Sequence, residues 1–265
     1  MSGAEAGNGQ PRRGFHHSAR RTVAELAVIV VAIALLLLGL RGCAGCLSGA
    51  IVAALPPSVD EAMGKAAGES LRAQHGADRP PAAADAARAA RLFDELRAHL
   101  TADEARILVS PRLTVTADPQ VNAFALPGGE VFVLTGLLRR TEGDDDVLRG
   151  VLAHELGHAV RRHGVRSVVR SGIYGLALAY LIGDLDGITA AVIAGGSRLD
   201  ELSYSRGMEE EADQFAVDLL RRAGHGPEGL ARFLEGLESQ PVPEILSTHP
   251  DSGERARAIR ERLTD

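Results

Sequence analysis

In VLRGVLAHELGHAVRRHGVR, residues Val147 to Arg166, the apolar residues Val151, Leu152, Leu156 and Val160 recur at helical spacing behind an acidic turn at Gly143 to Asp146. The stretch is expected to be one helix with an apolar side that anchors it. Inside it stands His154-Glu155-Leu156-Gly157-His158. Residues four apart on a helix lie one turn above each other, so both imidazoles can point at one metal ion. Glu155, one step round the helix, is left beside the ion's open position, where it can take a proton from water. His163 lies further along and off that face. Arg161 and Gly164 stand where an extended three-histidine motif needs glycine and histidine, so His163 reads as a helix-end residue or as support for a ligand.

A hydrolytic zinc centre typically takes three protein ligands and leaves a fourth position for water. The third is sought in Ser205-Arg206-Gly207-Met208-Glu209-Glu210-Glu211-Ala212-Asp213, the opening of an amphipathic helix expected over Arg206 to Arg222. Adjacent carboxylates near a helix amino terminus are favoured by its dipole, and Glu210 and Glu211 read as such a solvated face. Glu209 differs because Asp213 lies one turn below it. Glu209 can then reach the ion while Asp213 accepts a hydrogen bond from the far nitrogen of a ligand histidine.

Around these helices the pattern is α+β and predominantly helical. Ile107 to Thr116, Val121 to Leu126 and Glu130 to Leu134 carry strand signals, and Pro127-Gly128-Gly129 closes the last two into a hairpin. Thr135 and Gly136 then open a short helix. Residues 56 to 100 read as two packing helices broken between Gly76 and Pro81. Pro227 to Leu237 and Gly253 to Leu263 read as helices separated by a loop at Pro241 to Asp251. Two uncharged stretches, 171 to 183 and 187 to 197, are each too short to cross a bilayer alone and are expected to form a buried helical hairpin.

At the amino terminus Val23 to Leu40 reads VAELAVIVVAIALLLLGL, with Glu25 its one charge. As a helix it rises about 27 Å, close to the ~30 Å hydrocarbon thickness of a bilayer. Arg12, Arg13, Arg20 and Arg21 precede it, which keeps that end cytoplasmic and puts the remainder across the membrane. The expected organisation is a basic cytoplasmic segment at 1–21, a transmembrane signal-anchor at 22–40, a membrane-proximal linker at 41–57 and a peptidase domain at 58–265, in the periplasm of a bacterium. Cys43 and Cys46 follow the span as C-x-x-C, and lipid attachment through Cys43 is the alternative anchor. The chain has 265 residues, 45% of them hydrophobic, which excludes disorder as its main state, and a formal net charge of −6, which argues against nucleic acid as a partner.

AHELGH at 153 to 158, SRGMEEEAD at 205 to 213, NAFALPGGEVFVLTGLL at 122 to 138 and STHPDSGER at 247 to 255 together resemble the HtpX, BepA and CAAX prenyl protease family of zinc metallopeptidases. The resemblance covers about residues 100 to 262. It implies a zincin-type peptidase domain with a small sheet beside the active-site helix and one Zn2+ per chain. It also implies His154, His158 and Glu209 as ligands, Asp213 as the closing aspartate of the second motif, and His249 and Arg255 near zinc and substrate, where either can stabilise an oxyanion. With one span in place of the multi-span core of some branches, the chain is similar to the branch of protein quality-control peptidases. Unfolded or misassembled proteins are its expected substrates, bound along an edge strand expected at Gly129 to Val133. The rival reading is a membrane-tethered zinc-binding chaperone, its zinc structural and His249 in the fourth position.

Overall fold

A computed structural model describes residue 39 and residues 44–75, 81–182, 204–239, 243–250 and 252–262. The chain divides into two units, Met1–Gly45 and Cys46–Asp265, and the architecture below is that of the second. Residues 46–54 are helical. They are followed by α1 (Pro57–Gln74), α2 (Ala83–Ala98), α3 (Ala102–Ile107), β1 (Arg112–Thr116), β2 (Ala123–Ala125), β3 (Glu130–Leu134), α4 (Thr135–Arg140), α5 (Asp145–Val160), α6 (His163–Ile182), α7 (Arg206–Arg222), α8 (Glu228–Ser239), α9 (Pro243–Thr248) and α10 (Ser252–Glu261). The fold is α+β and mostly helical, as the patterning predicts. The anchor expected at 22–40 and the stretch 187 to 197 lie outside the described residues. Among the described residues no helix is long and apolar enough to cross a membrane.

Local chemistry sets several boundaries differently from the sequence reading. Thr101 accepts from the Glu104 backbone while Glu104 accepts from the Thr101 backbone, a capping box that starts α3 and keeps Ile107 helical. The strand therefore begins only at Arg112, after Pro111. Asp144 caps α5 by accepting from the Val147 N–H. Gly128 and Gly129, at φ 83° and 100°, supply the left-handed turn between β2 and β3.

The sheet order is β1-β3-β2. β1 runs parallel to β3, from Arg112 opposite Glu130 to Thr116 opposite Leu134, and β2 runs antiparallel to it with Phe124 opposite Phe132. This corrects the expectation that Gly129 to Val133 forms an edge. β3 is the middle strand because β1 returns beside it, and β2 is the edge strand next to α5.

Every residue of α5 from Val147 to Val160 is buried. Full burial of Leu148, Leu152 and Leu156 contributes about 1.5–3 kcal/mol each. Their neighbours in the core are Leu92 and Leu96 of α2, Phe215 and Leu219 of α7, and Leu230 and Leu234 of α8. The helix expected to run on to Arg166 breaks instead at Arg162, the one non-glycine residue with positive φ (57°) among those described. From there the Arg162 guanidinium donates through Nε to both Asp60 carboxylate oxygens at 3.1 Å. Its Nη1 reaches the Val52 and Leu55 carbonyls at 2.6 and 2.9 Å. These contacts offset the backbone strain and fasten the end of α5 to the start of the domain.

Candidate metal centre

His154 and His158 project from α5, Glu209 from the first turn of α7, and His249 from the residue after α9. All four are buried, and one ligand atom of each lies within 4.8 Å of all the others. His154 Nε2 stands 2.9 Å from His158 Nε2. The Glu209 oxygens stand 3.5 Å from the first and 3.4 Å from the second. His249 Nδ1 is 3.4 Å from His154 Nε2 and 3.1 Å from Glu209 Oε1. What allows α7 so close is Gly157. A Cβ there would meet the Ala212 carbonyl oxygen at 2.9 Å, so the helices touch backbone to backbone beneath the histidines.

Asp213 Oδ1 lies 2.9 Å from His154 Nδ1 and accepts its hydrogen, which turns Nε2 towards the cluster. Arg255 grips Asp213 with two bonds, Nε to Oδ2 at 2.7 Å and Nη2 to Oδ1 at 2.8 Å, and reaches Glu209 Oε2 through Nη1 at 2.6 Å. Tyr204 lies flat on the His158 ring, centroids 4.0 Å apart, and its N–H donates to the Thr248 carbonyl beside His249.

Burial opposes charge on Glu209, yet His249, His158 and His154 around it hold its carboxyl well below the usual range, so it stays an anion. Burial keeps His158 neutral, the form in which imidazole binds metals. Burial pushes the Glu155 carboxyl up against the pull of His249 and His154. The Ala125 N–H on β2 is hydrogen-bonded to Glu155, whereas its buried Oε2 has no partner among the described residues.

These residues fit a divalent cation. Nitrogen, nitrogen and carboxylate oxygen converge, and the Asp213 carboxylate holds the His154 ring from behind, the donors and support that a divalent cation takes. A cavity of about 20 Å3, room for one water, opens beside it between β2, α5 and α8, lined by Ala123, Glu155, Val151, Phe233, Ile245 and His249.

The structure thus brings His154, Glu155, His158, Glu209, Asp213, His249 and Arg255 into one place. Helical spacing missed two residues. Glu211, read as solvated, contacts buried His163 at 3.2 Å, and His163 contacts His158 at 2.9 Å. Tyr204 carried no signal, since stacking on a ring from another helix leaves no mark in sequence spacing.

Residues 86–263 match the family model described as peptidase family M48. The chain is 37% identical over 162 residues to the mitochondrial metalloendopeptidase OMA1 of Schizosaccharomyces pombe, covering 58% of this chain and 47% of that protein. It is 33% identical over 158 residues to the beta-barrel assembly-enhancing protease of Escherichia coli K12, covering 54% and 32%. To the metalloprotease YcaL of the same organism it is 34% identical over 167 residues, covering 58% and 62%. In each case less than two thirds of the relative's length is matched.

Proposed function

The chain belongs to peptidase family M48, and from that membership we propose that it is a membrane-anchored, zinc-dependent metalloendopeptidase that cleaves unfolded or misassembled proteins. The observation that carries the reading is the convergence of His154, His158 and Glu209 next to a buried Glu155 oxygen that has no partner among the described residues. When bound there, zinc supplies a Lewis acid that makes water nucleophilic near neutral pH and polarises a carbonyl. His154 and His158 through Nε2, with the Glu209 carboxylate, would hold it.

Glu155 takes the proton of the attacking water on its open oxygen as the new C–O bond forms, then gives a proton to the leaving amine as the C–N bond breaks. A pKa raised by burial suits that exchange. Asp213 positions His154, and Arg255, whose donors face Asp213 and Glu209, positions both carboxylates. His249, with Nε2 3.6 Å from Glu155 Oε1, is the group placed to stabilise an oxyanion. An extended peptide adds along β2, the edge strand, where Phe124 lies opposite Phe132 of β3, and it takes over the Ala123 and Ala125 N–H groups from Asn122 Oδ1 and Glu155. That selects for extended conformation more than for side chains, which suits unfolded chains.

The basic flank and apolar run at residues 12 to 40 support a single-pass bacterial inner-membrane anchor with a periplasmic domain. The names of the relatives, a mitochondrial metalloendopeptidase and a beta-barrel assembly-enhancing protease, are consistent with protein substrates. A second reading is favoured by His249 Nδ1 lying inside the donor set: His249 would help to hold the ion in the substrate-free protein. Glu155→Gln decides the activity. The variant is expected to retain zinc at one per chain and to lose cleavage of an unfolded test protein. Parental turnover by Glu155→Gln would reject the assignment.

A further inference from the structure

Behind the metal-facing histidines runs a hydrogen-bonded chain that the reaction as described does not use. His163, the first residue of α6, is fully buried, with Nδ1 2.9 Å from His158 Nδ1. Its other nitrogen, Nε2, lies 3.2 Å from Glu211 Oε2. Arg166 holds the same carboxylate, with Nη1 2.6 Å from Oε2 and Nη2 3.3 Å from Oε1. The break at Arg162 makes this possible, because on an uninterrupted helix His163 would face away from His158.

A carboxylate only accepts, and neutral imidazole carries one donor and one acceptor nitrogen. Glu211 therefore requires the hydrogen of His163 to sit on Nε2. Nδ1 of His163 is then an acceptor, and the facing Nδ1 of His158 must be the donor. The lone pair of His158 is left on Nε2, the atom turned towards His154 Nε2 and Glu209. Asp213 imposes the same tautomer on His154 in one step.

We propose that His163 and Glu211 are positioning residues that fix the tautomer and ring plane of His158 through a two-step relay, Arg166 holding the carboxylate in place. The proposal rests on the metal-centre reading above. It makes the support of the two ligand histidines equivalent: a carboxylate directly behind one, and a carboxylate acting through a second imidazole behind the other.

The test is the zinc affinity of the full chain in detergent, measured by competition with a chromophoric chelator. His163→Leu is expected to weaken zinc about 10- to 100-fold. His163→Asn, whose Oδ1 can accept where Nδ1 did, recovers most of that loss, which simple filling of space by Leu does not. Glu211→Ala weakens zinc binding, whereas Glu210→Ala, a carboxylate lost from the same helix turn, leaves it unchanged. His163→Asn no better than His163→Leu, or Glu211→Ala equal to Glu210→Ala, overturns the relay. Should His163→Leu fail to fold, the two surface variants decide alone. A parent chain that takes up no zinc overturns relay and metal centre together. A parent whose zinc is lost in His154→Ala, while the relay variants bind like the parent, overturns the relay alone.

Discussion

Arg255 shows how much of the centre depends on a residue that need not touch the metal. Its guanidinium is buried and bonded to Asp213 and Glu209, and it is the main partner that lets Asp213 keep its charge away from water. Replacing it with Leu leaves the Asp213 carboxylate in the core without its main partner, a change expected to cost about 3 kcal/mol or more. Urea unfolding of the metal-free chain measures this, and a loss below about 1 kcal/mol, the range of a solvent-exposed pair, would contradict the assigned role. At this scale the sequence was informative where partners share a helix. His154 with His158, and Glu209 with Asp213, are four residues apart and declare themselves by spacing. Glu211 escaped, and His163 was read only as a helix-end residue or as support for a ligand, because their contact spans two helices and a turn that spacing does not report. Arg255 stood out only through the motif around it, with no indication that its donors would be taken up by carboxylates.

Between elements, the contact that matters most is the approach of α5 to α7. With the Ala212 carbonyl oxygen 2.9 Å from where a Gly157 Cβ would sit, Gly157→Ala must push α7 outward and draw Glu209 from the histidines. Overpacking of this kind costs about 1–3 kcal/mol, and zinc affinity is expected to fall with it; calorimetry and chelator competition read the two effects. A parental zinc affinity in a folded Gly157→Ala chain would show that the helices need not touch. The other end of α5 depends on charge. The Arg88 hydrogen bond, then that of Arg91, holds the Asp145 carboxyl below its ordinary value of 3.8. A lowered folded-state value stabilises above the unfolded value and is lost as pH falls through the folded one. Asp145→Asn should therefore be less stable than the parent near neutral pH, with the gap closing below about pH 4; thermal melts across that range check it. A constant gap would mean that the charge is not the cause. The strand Glu130–Leu134 and the helix Arg206–Arg222 were legible to the residue, because alternation and amphipathic spacing are local. The break at Arg162 and the central place of β3 were not. Arg162 obeys Asp60 and two carbonyls far away in sequence, and β3 is central because β1 returns parallel to it.

For the whole molecule, the centre is a junction of distant chain segments. His154 and His158 come from α5, Glu209 from α7 and His249 from beyond α9, with separations of 95 residues between His154 and His249 and 40 between His249 and Glu209. An ion held by all of them ties those segments together in the folded state, and in the unfolded chain the same ligands are dispersed, so binding adds directly to folding stability. Free zinc at a hundred times its dissociation constant should raise the unfolding free energy by about 2.7 kcal/mol. For a domain of this size that is a rise in melting temperature of about 5–10 °C, reversed by a chelator. His154→Ala and His158→Ala together should abolish the zinc-dependent rise while leaving the α-helical circular dichroism of the metal-free chain in place, because the apolar side of α5 still packs against Phe215, Leu219 and Leu230. The full rise persisting in that double variant would mean that zinc stabilises the protein from somewhere else, and the site built from α5, α7 and the residue after α9 would lose its claim to the metal.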